Sequence, residues 1–241
     1  FRLGCQPTHE VSIDSHVVYQ GGRERLDILV WRIHGHDEPI TVEARSLPKG
    51  VTAEPIVIGK GVKWGTLVVT AAPDAPLGEG EIQIVGTSEV SGRKLTRHSR
   101  GGVIVWDTVN TPAISRMTRS IVMAVREKAA FALTASPVAV TVAKGDPIHL
   151  TLVAQRRGDM PNAIQLNGAG IQLPPGMEIP VKSIAKGESE QKLVIATDKM
   201  REGTYSFLVN GDGQVPTDGK NVRCIYPSNA IKVTIEPKPA K

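Results

Sequence analysis

The chain has 241 residues, 40% hydrophobic and 22% charged, a composition that supports a packed core and excludes wholesale disorder. No run approaches the ~18–20 apolar residues of a membrane-spanning helix. Two cysteines, Cys5 and Cys224, exclude a disulfide scaffold and every multi-cysteine metal module. A net charge of +5 invites a polyanion partner, yet aromatics at 4% are too sparse for a nucleic-acid stacking platform.

Taken in chain order, Phe1 opens directly into a patterned segment, so a signal peptide is expected upstream or already removed. Leu26, Ile28 and Val30 alternate along a strand, after the turn signal Gly21-Gly22 and before the polar cluster His34-Gly-His36-Asp37-Glu38. Leu47-Pro-Lys-Gly-Val51 reads as a Pro-x-Gly turn. Residues 64–70, 81–85 and 103–105 read as further strands, punctuated by Gly78-Glu-Gly80 and Ser91-Gly92. Between Gly92 and Arg119 lie Arg93, Lys94, Arg97, Arg100, Arg116 and Arg119 against one acid, Asp107. They form the candidate polyanion patch; an ordinary solvated face is the plainer alternative. Met117, Ile121 and Val125 could share a helical face, but alternation favours Ile121–Val125 as a strand, with residues 126–130 as a linker.

The remainder repeats this plan at a spacing of about 125 residues. Phe1-Arg-Leu matches Phe131-Ala-Leu, and Leu26, Ile28 and Val30 fall on Leu150, Leu152 and Ala154. Leu47-Pro-Lys-Gly matches Leu173-Pro-Pro-Gly, Ile58-Gly-Lys-Gly matches Ile184-Ala-Lys-Gly, and Glu79-Gly matches Glu202-Gly. The strand Ile231–Ile235 then answers Ile121–Val125. Short strands with a turn every 8–12 residues or so predict an all-β protein of two tandem Ig-like antiparallel β-sandwich domains. The expected division is 1–128 and 129–241, each half owning a core.

The order Gly-Gly, a strand ending in Arg32, Leu-Pro-x-Gly-Val, then Leu67-Val-Val-Thr-Ala-Ala-Pro-Asp-Ala-Pro-Leu-Gly78 resembles the tandem immunoglobulin-like regions of large secreted planctomycete-type bacterial proteins. Those proteins often also carry bacterial pre-peptidase C-terminal domains. The segments 115–127, 203–209 and 214–216 add to the likeness, which spans nearly the whole chain. The resemblance implies a non-catalytic module of an exported or cell-envelope protein, and it supplies no functional residues.

The candidate chemistry is thin. His34, His36 and Asp37 could ligate zinc or copper, against the alternative of a polar turn between strands. Asn210-Gly-Asp212-Gly with Asp218 hints at calcium but lacks the spacing of a binding loop, and reads as a hairpin connection. No nucleophile elbow, zinc-protease, phosphate-loop or dinucleotide motif is present. Trp31, Trp64 and Trp106 are expected to plug a core or a domain junction rather than form a sugar platform. Cys5 aligns with Ala135, and Cys224 with Ile104 when Tyr226 is set on Trp106; both are expected to be free, largely buried thiols.

No catalytic residue, cofactor or metal is therefore assigned. The expected role is a structural or interaction module of a larger extracytoplasmic bacterial protein. Its partners would be other domains of that polypeptide or envelope proteins, with an anionic polymer as a further candidate. The alternative is a polysaccharide- or polyanion-binding accessory region of a secreted hydrolase.

Overall fold

The computed structural model describes residues 1–6, 16–105, 114–158, 160, 162–169, 173–217 and 219–238, with the backbone alone at 6, 103–105 and 114–117. None of the described residues is helical. The strands of the first half are β1 (Arg2–Gln6), β2 (His16–Gln20), β3 (Arg23–Trp31), β4 (Ile40–Arg45), β5 (Val51–Ala53) and β6 (Ile56–Ile58). They continue with β7 (Trp64–Ala71), β8 (Gly78–Val90), β9 (Arg93–His98), β10 (Arg100–Val105), β11 (Ile114–Thr118) and β12 (Ile121–Lys128). One sheet runs β11-β10-β1-β3-β7-β5 and the other β2-β12-β8-β4-β6, with β9 forming a hairpin on β8. Period-2 alternation places Leu26, Ile28, Val30, Leu67 and Val69 on the inner face of the first sheet. Ile40, Val42, Ile82, Ile84 and Met123 close the core from the second, all of them buried.

The second half contains β13 (Phe131–Ser136), β14 (Ala139–Ala143), β15 (Ile148–Arg156), β16 (Ile164–Asn167) and β17 (Lys182–Ile184). It ends with β18 (Glu190–Ile195), β19 (Gly203–Phe207), β20 (Asn210–Thr217), β21 (Lys220–Pro227) and β22 (Ile231–Glu236). Its sheets are β13-β15-β18, β14-β22-β19 and β17-β16-β20-β21. Among the described residues no strand of one half pairs with a strand of the other.

Three devices recur at equivalent positions. Each Leu-Pro-x-Gly segment is a tight turn closed by a backbone bond, Val51 N–H to Pro48 O at 2.9 Å and Met177 N–H to Pro174 O at 3.0 Å. Its glycine, Gly50 or Gly176, takes φ +78 or +81, where a side chain would be strained. Gly86 and Gly211 lie on equivalent strands, each tight against side chains of the facing layer. A Cβ on Gly86 would collide with Leu3 and crowd Ile40 and Phe1, and one on Gly211 would crowd the counterparts Leu133, Ile164 and Phe131. The third device is an arginine at the end of β3 and β15. Arg32 donates to the carbonyls of Glu38 (2.8 Å), Gly59 (2.8 Å) and Val62 (2.9 Å). Arg156 donates to those of Asn162 (2.7 Å), Ala185 (2.8 Å) and Glu188 (3.3 Å), the same three loop positions.

The connection between halves is shorter than the expected 126–130 linker. Parallel pairing of Arg126 with Tyr19 and of Lys128 with Gln20 carries β12 to Lys128, leaving only Ala129 and Ala130 before β13. Arg157 donates to Gln20 O (2.9 Å) and Gly21 O (2.8 Å), and Arg23 donates to Leu133 O (2.6 Å). Tyr226 packs edge-on against both Tyr19 and Phe131. Val68, on the outer face of the first sheet, is buried against Leu208, so apolar packing crosses the junction where strand pairing stops.

Candidate functional site

The histidine cluster is spent on structure. Ser88 Oγ donates to Pro39 O (2.7 Å), so at 3.0 Å from His36 Nε2 it accepts the ring N–H. His36 Nδ1 then accepts from Arg32 Nη1 at 3.2 Å. Both ring nitrogens are engaged in a neutral imidazole, and partial burial together with Arg32 lowers its pKa. The ring lies 4.9 Å from that of Phe1. In the second half Met160 holds the corresponding place, buried near Phe131 and Gly213, so the position is an apolar plug at the end of the core. His34 sits exposed in a turn at φ +53, and Asp37 meets Lys60 at 3.9 Å. Among the described residues no three His, Cys, Asp or Glu side chains converge to hold a metal ion.

The calcium-like segment is not a loop. Asn210–Thr217 is β20, and Asp212 accepts from Arg223 on β21 at 2.7 Å. Asp218 lies outside the described residues. Cys5 is buried beside His16 (Sγ to Nε2, 3.6 Å); burial and the nearby Asp27 push the thiol far up, while burial lowers His16 to about 4. The pair is therefore neutral and sealed from solvent, unsuited to nucleophilic chemistry. Cys224 is half-buried and, like Cys5, unpaired. Its place is also not that of Ile104. Cys224 pairs with Gly213 in the β20–β21 hairpin, which makes it the counterpart of Leu95, opposite Ser88 in β8–β9.

The six basic residues do not share one face. Arg93 and Arg97 alternate with Lys94 along β9, so they project from opposite sides of that strand. Arg100 begins β10 in the other sheet, Arg119 sits in the turn before β12, and the Arg116 side chain lies outside the described residues. Arg93, Lys94, Arg100 and Arg119 are exposed and make no ion pair among the described residues.

The expectation of buried tryptophans fails for Trp31 and Trp64, which are 46% and 39% exposed; Trp106 lies outside the described residues. Leu26, Ile28 and Val30 occupy the inward phase of β3, so Leu29 and Trp31 face outward. Leu29 pairs directly with Trp64 on β7, which places the two indoles diagonally on neighbouring strands. Across the same face Arg2 is opposite Trp31, Gly4 is opposite Leu29, and Arg100 is beside Gly4. This gives an outward strip of two tryptophans, a leucine and two arginines. The acid nearest in register, Asp27, is buried and accepts from Thr66 at 3.2 Å. Sequence alternation could have put both tryptophans on the outer phase; it could not show that this part of the face stays uncovered.

No family model and no curated protein matches the chain. Among solved structures it is similar to the fibronectin(III)-like modules of Clostridium thermocellum CbhA, at 11% identity and a TM-score of 0.28 over 98% of this chain and 94% of that one. A Porphyromonas gingivalis protein of unknown function gives 9% and 0.26, over 98% and 100%. The ectodomain of the teleost fish polymeric Ig receptor gives 10% and 0.25, over 95% and 98%. Overlaps this loose transfer neither fold details nor function.

Proposed function

We propose that the chain is a pair of tandem Ig-like β-sandwich domains, residues 1–128 and 129–241, serving as a non-catalytic structural and interaction module of a larger exported or cell-envelope bacterial protein. The strand order β1-β3-β7-β5 against β12-β8-β4 supports the Ig-like reading, since it is the arrangement of two antiparallel sheets in immunoglobulin domains. The observation that carries the role is the junction: two residues of connection, locked by Arg23, Arg157 and the Tyr19–Tyr226–Phe131 stack. Such a joint holds two domains at one angle, which suits a spacer. The motif resemblance to secreted planctomycete-type proteins supports the exported setting. Fractionation of the source cells, probed with antiserum to this chain, tests the reading. It should detect a longer polypeptide in the envelope or medium; a free cytosolic species of about the 25.8 kDa of this chain would overturn it.

A second reading, a polysaccharide-binding accessory region of a secreted hydrolase, is favoured by one feature, the exposed Trp31–Trp64 pair.

A further inference from the structure

We propose that the outer face of the sheet containing β10, β1, β3 and β7 binds an acidic polysaccharide, with sugar rings on Trp31 and Trp64 and sugar carboxylates on Arg2 and Arg100. The inference rests on the second reading above and narrows its ligand to a uronic-acid polymer.

The internal repeat supplies the first argument. By strand register Trp31 corresponds to Gln155 and Trp64 to Glu190, and the second half forms the same β-strand layer with those polar residues. The architecture therefore does not require an indole at either position. Leaving two of them exposed costs solubility with no packing gain that the sister half needs. Arg2 likewise corresponds to Ala132, so the basic flank is also peculiar to the first half.

Geometry supplies the second argument. Strands in a sheet stand ~4.8 Å apart, so Arg2 lies one strand from Trp31, while Arg100 lies about three strands from Trp64. Gly4, itself buried, lies between Arg100 and Leu29 and sets the spacing along that row. Aromatic faces stack on the C–H faces of sugar rings, and a guanidinium binds a carboxylate through paired N–H donors. Elsewhere on this outer face Val68 packs under Leu208, and Asp27 is buried. With Asp27 occupied, no exposed acid stands in these registered positions to repel an anionic polymer.

The test is calorimetric titration of the full chain at near-physiological salt with polygalacturonate, and with dextran and hydroxyethylcellulose as uncharged polymers. Polygalacturonate should bind and the uncharged polymers should not. Trp31→Gln with Trp64→Gln should weaken binding at least about tenfold, and glutamine at Trp31 is already the residue of the sister half. Arg2→Gln with Arg100→Gln should weaken it by a similar factor. Lys182→Gln/Lys186→Gln/Lys192→Gln, which removes three exposed charges from the second half and none from the proposed face, should leave it within about twofold, because exposed charges beyond a screening length contribute little. Equal loss in that triple variant would show attraction to net charge alone and overturn the proposal. Tryptophan-dependent binding to an uncharged polymer would overturn the acidic specificity while leaving the polysaccharide-binding reading in place. No binding to any of the three would overturn both.

Discussion

Arg32→Met should destabilise the first half by about 1–3 kcal/mol. The guanidinium gathers three loop carbonyls, and methionine keeps part of the stem while removing every donor. The Glu38 carbonyl lies in an exposed loop and can take water instead. The Gly59 carbonyl keeps the Val62 N–H at 3.2 Å, so the buried Val62 carbonyl is the one left unpaired, at a cost of about 1–3 kcal/mol. Arg32→Lys should lose most of the same energy, because one ammonium cannot reach three carbonyls in the fork geometry. Urea unfolding followed by tryptophan fluorescence is the assay, since Trp31, Trp64 and Trp106 all precede residue 128 and report on the first half. Arg156→Met, read by far-UV circular dichroism, should be comparably damaging in the second half. A change below about 0.5 kcal/mol in Arg32→Met would refute the clamp, placing it among ordinary surface substitutions.

Gly86→Ala and Gly211→Ala should each cost about 1–3 kcal/mol by overpacking the approach of equivalent strands, as measured by the same denaturation; a neutral effect would mean the neighbouring leucines move aside freely. Alkylation under denaturing, non-reducing conditions should label both cysteines, while native protein near pH 7.5 should leave Cys5 unlabelled and label Cys224 slowly, its thiol being pushed up to about 11 by burial and Asp212. A Cys5–Cys224 linked peptide would contradict this. Two shifted groups, buried His16 and half-buried Glu24, should oppose each other in the pH profile. Burial raises Glu24, which accepts from the Arg25 N–H and has Asp27 and Tyr226 nearby, to about 7. The folded state then holds its proton more tightly, so its contribution is full at low pH and is lost as pH rises to about 7. His16, lowered to about 4, acts inversely: its contribution is lost as pH falls from 6.5 towards 4. Glu24→Gln should therefore make stability rise more steeply between pH 4 and 6.5 than in the parent chain, and an unchanged profile would refute the raised carboxyl. Residues 1–128 and 129–241 expressed apart should each unfold cooperatively but at lower urea than the full chain; equal midpoints would mean the junction contributes nothing.

Local rules made much of this molecule legible in advance. The repeat, the alternation of Leu26, Ile28 and Val30, the Pro-x-Gly turns and the closing strand Ile121–Val125 all depend on steric preferences within a few residues. Those preferences determine which side chains share a face, because successive residues of a strand point to opposite sides. They do not determine what lies over each face. Trp31 and Val68 both occupy outward phases of one sheet, yet Leu208, far along the chain, covers Val68 and leaves Trp31 open. His36 looked like a ligand because its partners Ser88 and Phe1 come from distant strands. Cys224 was matched to Ile104 by spacing, whereas hairpin register sets it opposite Gly213. The arginine clamp was visible only as a residue at the end of a strand, since its three carbonyls belong to loops that meet only after both layers have packed. Sequence alone determined the strands and their inner faces; the packing of one half on the other decided which outer surfaces remain available to bind, because burial depends on residues distant in the chain.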